Sequence, residues 1–164
     1  MENPVSHHLE KQYLMSLEWI NENINALTDD EYRMELSPGR NHGVWLLGHL
    51  IVSDDDLSTF LGKGPLLYPQ YAEMFGQKSK LSVPENYPAV SVLKECWEKV
   101  CEKNKKIYSG LTDNELNEPH ALIENIQTDY FKTKDRVIIA WHFHQLYHTG
   151  QLAVLVSRAG KNKY

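Results

Sequence analysis

Apolar side chains recur at Leu9, Tyr13, Leu17, Ile20, Ile24 and Leu27, three or four positions apart, with Glu and Asn between them. That period matches the turn of an α-helix with one buried face and predicts a helix from about Val5 to Leu27. Ser37-Pro38-Gly39-Arg40-Asn41 interrupts the pattern. Asn41 has the short acceptor side chain of an N-cap, so a second helix is expected from there to about Leu61, ahead of Gly62 and Gly64-Pro65. Within it VWLLGHLIV is apolar on every side except at Gly48 and His49. It is far shorter than the roughly 20 residues that span a bilayer, so it reads as a buried helix segment and not as a membrane anchor.

Residues 62–88 contain four prolines and no sustained period. This is a crossover much longer than the usual link between bundle helices. In YPQYAEMFG, Pro69 suits the first turn of a short helix and Gly76 its stop, which leaves Tyr71, Met74 and Phe75 to pack. With Tyr68 and Tyr87, these rings could wall a pocket or simply cap the bundle's end. Val90, Leu93, Trp97, Val100 and Ile107 mark a third helix from about Ala89 to Ser109, ended by Gly110. LTDNELNEPH carries turn residues and one expected helical turn, and ALIENIQTDYFK reads as irregular or as a short extended piece. Thr133 is a good N-cap for a last helix reaching about Arg158, before Gly160. Four long helices and one long crossover make an all-α four-helix bundle, as a single domain over residues 1–164.

Composition narrows the partners. With 164 residues, 41% of them hydrophobic, the chain has the length for one core and not comfortably for two. Its net charge is -5, from 22 acidic against 17 basic residues, and no basic stripe precedes Lys161 and Lys163. A nucleic acid partner is therefore not expected, nor is a membrane. MENPVSHHLEK has no basic segment followed by an apolar one, which makes the cytoplasm the expected location. Cys96 and Cys101, five apart on one helix, point about 140° from each other. They read as two ordinary buried or half-buried thiols in a reducing compartment.

The candidate chemistry lies in the histidines of HFHQLYH, residues 142–148. His144 and His148, four apart, stand about 40° from each other around a helix with Cβ atoms roughly 5–6 Å apart, so both rings can reach one ion. His142 is turned about 200° from His144 and faces elsewhere. Val137, Trp141, Leu152 and Leu155 share the face of the pair, which therefore looks into the bundle, where each ring nitrogen needs a partner. His49, amid Trp45, Leu46 and Val52, faces the same kind of interior. Three neutral imidazoles from two helices could bind a divalent transition metal and leave coordination positions open. The other account is that they hydrogen-bond Tyr, Ser or backbone groups inside an ordinary bundle.

GRNHGVWLLGHLIVSDDDL, YAEMFG and HQLYHTGQLAVLVSRAG, in this helix order, resemble the DinB-like family, which includes metal-dependent hydrolases and bacterial thiol transferases. The resemblance implies a DinB-like four-helix bundle whose metal is held at His49, His144 and His148. It also implies a small-molecule substrate and a homodimer joined through a helix face. Zinc or nickel is the expected metal, with iron or manganese as alternatives. Bound there, the ion would activate either a water for hydrolysis or a low-molecular-weight thiol for transfer to an electrophile. Thiol transfer has the edge because no strong general base accompanies the triad. A non-catalytic metal-binding or dimerising bundle is the alternative.

Around the triad, Gly150 could permit close helix packing. Gln151 is either a solvated side chain or an amide offered to a ligand. Asp54 and Asp55 are expected to face away, in a solvated acidic helix end. Asp56 shares the face of His49 about 10 Å along the helix, where it could orient a ligand histidine. His42 is expected near a helix start, out of ligand reach, His120 is free to swing into the site, and His7 and His8 are expected in solvent.

Overall fold

The computed structural model describes residues 4–126 and 131–161. Four long helices form its frame: α1 Val5–Ala26, α2 Gly43–Phe60, α4 Val90–Ser109 and α6 Lys134–Arg158. Two short ones, α3 Ala72–Phe75 and α5 Asp113–Leu116, lie in the connections. Single 3₁₀ turns cover Glu31–Arg33, Pro69–Tyr71 and Pro84–Asn86. No strand occurs among the described residues. In cross-section α1 packs on α6, α6 on α2, α2 on α4 and α4 on α1, which closes a four-helix bundle. None of the described helices is long and apolar enough to cross a membrane.

The periodic positions supply the core. Tyr13, Ile20 and Ile24 from α1 meet Leu93, Trp97 and Val100 from α4 and Val137, Leu152 and Leu155 from α6. Each such side chain removed from water stabilises the fold by roughly 1.5–3 kcal/mol before chain entropy is counted. α2 is buried nearly all round, through Val44, Leu46, Leu47, Leu50, Ile51 and Leu57. Two helices cover two of its sides and the crossover covers a third, which is why VWLLGHLIV carries no polar stripe.

The helix bounds fall within two residues of those expected, while two caps differ. α2 is capped not by Asn41 but by His42, whose Nδ1 accepts a hydrogen bond from the Trp45 amide at 3.1 Å. The opposite nitrogen then carries the proton and donates to the Ser82 carbonyl at 3.0 Å, tying the cap to the crossover. Thr133 does stand at the N-cap of α6, but its hydroxyl donates to the Asp135 carboxylate and accepts from no helix amide. The expected turn in LTDNELNEPH is α5, opened by a reciprocal Thr112–Glu115 capping box. Residues 121–125 of ALIENIQTDYFK form turns, and 127–130 lie outside the described residues.

The acidic run is not a solvated helix end. Asp54 and Asp55 are 0% and 1% exposed. Asp55 accepts from the amides of Leu67 and Tyr68, both at 2.8 Å, and pairs with Lys103 of α4. It thereby anchors the crossover to two helices. Asp54 accepts from Gln145 of α6 at 2.6 Å, while Asn104 of α4 donates to the Asp54 carbonyl at 2.8 Å. Neither could be placed from the sequence, because the lysine and amides that make their burial tolerable come from other helices and from the crossover. Cys96 and Cys101 are free and buried, as expected.

Candidate metal centre

α2 and α6 run antiparallel and bring His49 against His144 and His148. The Nε2 atoms of His49 and His144 are 3.1 Å apart, and those of His148 and His144 are 3.0 Å apart. All three donor atoms lie within 4.8 Å of one another. For metal–nitrogen bonds of about 2.0–2.1 Å, right-angle ligands stand about 2.9 Å apart and tetrahedral ones about 3.3 Å apart. The two short separations fall between those values.

Two outer hydrogen bonds turn the rings inward. His49 Nδ1 is 2.7 Å from the Phe75 carbonyl, an acceptor only, so Nδ1 carries the proton and Nε2 a lone pair. His148 Nδ1 donates in the same way to Gln151 Oε1 at 2.6 Å. Trp45, one turn before His49, stacks on its ring with centroids 4.6 Å apart and planes 12° apart, fixing the ring's tilt. Two lone pairs thus face His144 Nε2, which as a neutral ring can donate to only one of them. A cation at the centre satisfies all three.

Burial keeps the imidazoles neutral. It lowers the pKa of His49, and with the neighbouring His49 it lowers that of His144 to about 4. Burial, then His144 and His49, lower His148 to about 3, against a small opposing pull from Gln151. Neutral imidazole is the form that ligates a metal. The donor set therefore fits a divalent transition ion, and these three residues could hold one.

The triad lines a cavity of about 660 Å³ between α2 and α6. His49, Ser53, Asp56 and Phe60 line it from α2, and Trp141, His144, Tyr147, His148 and Gln151 from α6. The crossover adds Gly76 and Gln77 to the wall, whereas its rings Tyr68, Tyr71, Phe75 and Tyr87 do not line the cavity. His144 is half-buried and Tyr147 is 64% exposed, which opens the cavity to solvent on the α6 side.

Among the other candidates, Gln151 is half-buried on the cavity wall, where its Oε1 holds His148 and its amide donates to the Tyr147 hydroxyl. Asp56 lines the cavity but orients no ligand histidine, since the Phe75 carbonyl and Gln151 take those places. Gly150 permits no close packing, because a Cβ there would meet nothing within 4 Å. His120 does not swing in; it is buried against Phe60 and accepts from the Leu122 amide. His142 faces the opposite side of α6 and bonds the Tyr108 hydroxyl at 3.0 Å inside the core. His42 caps α2, His7 is half-buried and His8 is exposed.

Gly48 and Phe75 have functions that sequence reasoning missed. A Cβ on Gly48 would sit 2.2 Å from the Phe75 ring, so only glycine lets α3 approach closely enough for the Phe75 carbonyl to reach His49. The available signal was a glycine directly before a buried histidine. The carbonyl itself has no signature, since every residue carries one.

The crystal structure of a conserved protein from Enterococcus faecalis is similar to this one, with a TM-score of 0.68 at 16% identity, over 94% of this chain and 96% of that one. At that identity the likeness speaks for the fold alone. No curated protein matches the chain. The family model of the DinB superfamily matches residues 13–152, a span that holds His49, His144 and His148 together with α2, α4 and most of α6. This chain belongs to the DinB superfamily.

Proposed function

We propose that this chain is a divalent-metal-dependent enzyme acting on a small molecule, with His49, His144 and His148 as its metal ligands. The observation that carries this reading is the convergence of three Nε2 atoms on the wall of a solvent-open cavity of about 660 Å³. A purely structural site has no use for such an opening. A bound divalent ion would supply Lewis acidity, lowering the pKa of a thiol or a water brought to it.

The chain's own residues do the positioning. The Phe75 carbonyl and Gln151 hold the outer protons of His49 and His148, and Trp45 fixes the plane of the His49 ring. Phe60, Phe131 and Trp141 give one end of the cavity an apolar wall. No carboxylate hydrogen-bonds to the triad among the described residues, so no general base stands beside it. That favours thiol transfer over hydrolysis, because a thiol ionises far more readily than water and needs a base less. The two free, buried thiols, Cys96 and Cys101, accord with work in the cytoplasm.

The test is elemental mass spectrometry of the untagged protein beside His144→Ala, followed by assays of thiol transfer and hydrolysis on the loaded protein. About one equivalent of zinc or nickel in the wild type, lost in the variant, is expected. No metal in either, even after both ions are added, would end the metalloenzyme reading. We assign the family's homodimer to the exposed stripe Ile139, Phe143 and Val154 of α6. Sedimentation velocity that finds only monomers would remove that assignment.

A further inference from the structure

One end of the cavity has a composition that the metal site does not require. Phe60, Phe131 and Trp141 all line it, with ring centroids 4.9 Å apart for Phe60–Trp141, 5.7 Å for Phe60–Phe131 and 6.0 Å for Phe131–Trp141. Their planes are inclined at 56°, 74° and 83°, so the rings meet as the walls of a corner. The Trp141 ring is held in place by its Nε1, which donates to the Ser53 carbonyl at 2.6 Å.

Asp56 lines the same cavity. Its neighbours in sequence are engaged elsewhere, Asp54 with Gln145 and Asp55 with Lys103 and the crossover amides. The Thr59 hydroxyl donates to the Asp56 backbone carbonyl and leaves the side chain uncommitted. Among the described residues no donor and no cation pairs with the Asp56 carboxylate. Burial, with Asp55 adding to it and Lys103, bonded to Asp55, opposing in part, raises its pKa to about 6, so it is ionised at neutral pH. Neither Lys nor Arg lines the cavity among the described residues. An anionic group entering this end would meet an unpaired carboxylate. A neutral one would leave that carboxylate half out of water with only the pull of Lys103, already bonded to Asp55, against the cost. A cation gains twice, from the carboxylate and from the negative faces of the rings within about 6 Å.

We propose that the cavity selects small molecules bearing an organic ammonium group, seated against Phe60, Phe131 and Trp141 with Asp56 as its counter-charge. This names the substrate class for the cavity of the proposed enzyme and rests on that cavity being its substrate site. The ammonium end lies toward Asp56, about two helical turns from His49, so the reacting part of the molecule extends toward the three histidines.

Isothermal titration calorimetry with benzyltrimethylammonium, benzyl alcohol and benzoate tests the proposal, on both metal-stripped and zinc-loaded protein. The quaternary nitrogen has no lone pair and cannot ligate a metal. The expected result is a cation bound about tenfold or more tighter than the alcohol, with benzoate weakest. Asp56→Asn should remove about tenfold of cation affinity and leave the alcohol unchanged, while Asp56→Glu retains most of the preference. Near-UV circular dichroism checks that the variants stay folded. Equal affinity for cation and alcohol, a preference that survives in the Asn variant, tighter binding of benzoate, or no cation binding in either form would each overturn it. A protein that binds the cation but no metal keeps this inference and loses the metalloenzyme reading, and the converse result does the reverse.

Discussion

Gln151 Oε1 takes the outer proton of His148, and that one bond presents the ring's other nitrogen to the triad as a lone pair. Gln151→Ala would free the ring to rotate and to change tautomer. Metal affinity should then fall about 10- to 100-fold, read by competition with a chromophoric chelator, with helical circular dichroism unchanged. Unchanged affinity would show that Gln151 is an ordinary surface side chain. His144 and His148 were legible as a pair in the sequence because four-residue spacing on a helix is local geometry. His49 was legible as an imidazole in an apolar run that needed a partner. The holder of its outer nitrogen was not, because Phe75 lies 26 residues further along the chain and contributes only a carbonyl.

At the level of elements, α2 depends on its cap and on the crossover that covers it. His42 serves both, accepting from the Trp45 amide and donating to the Ser82 carbonyl. His42→Ala should therefore cost about 0.5–2 kcal/mol by urea unfolding and speed amide exchange in the crossover near Ser82. A loss confined to α2, with the crossover as protected as before, would show that the Ser82 bond holds nothing. Helix bounds were readable within two residues because the apolar period is a local property. The cap was not, since Asn41 and His42 are adjacent and the choice depends on Ser82 lying across from one of them. The acidic run failed for the same reason. A helical wheel spaces Asp54, Asp55 and Asp56 about 100° apart but does not say that Gln145, Lys103 and an open cavity stand opposite them.

Across the whole molecule, buried ionisable groups set opposing pH dependences. In the metal-stripped protein burial holds His142 at about 4, burial with His49 holds His144 at about 4, and burial with two neighbouring rings holds His148 at about 3. Below about 6.5 the unfolded chain takes up protons that the folded chain refuses, so the stability these groups confer is complete above that pH and is lost as pH falls toward about 4. Burial raises Asp54 to about 7, an effect that Gln145 and Lys103 only partly offset. Between about 4 and 7 the folded chain therefore keeps a proton that the unfolded chain has released, and this contribution falls as pH rises. Asp54→Asn removes the second effect and leaves the first. In urea titrations with chelator present, its advantage over the wild type should grow from pH 5 to pH 8 to the order of 1–3 kcal/mol. A gap that does not widen would mean that Asp54 is not a buried acid in the folded state. The all-α bundle, its long crossover and the three histidines were within reach of the sequence alone, because apolar period, Gly and Pro breaks and i,i+4 spacing act over a few residues. Tertiary structure alone decided which acids are buried, what holds the His49 and His148 rings, and that one end of the cavity pairs an aromatic corner with a carboxylate that no hydrogen bond engages among the described residues. Those depend on neighbours brought from distant parts of the chain, and only the way the four helices meet determines who they are.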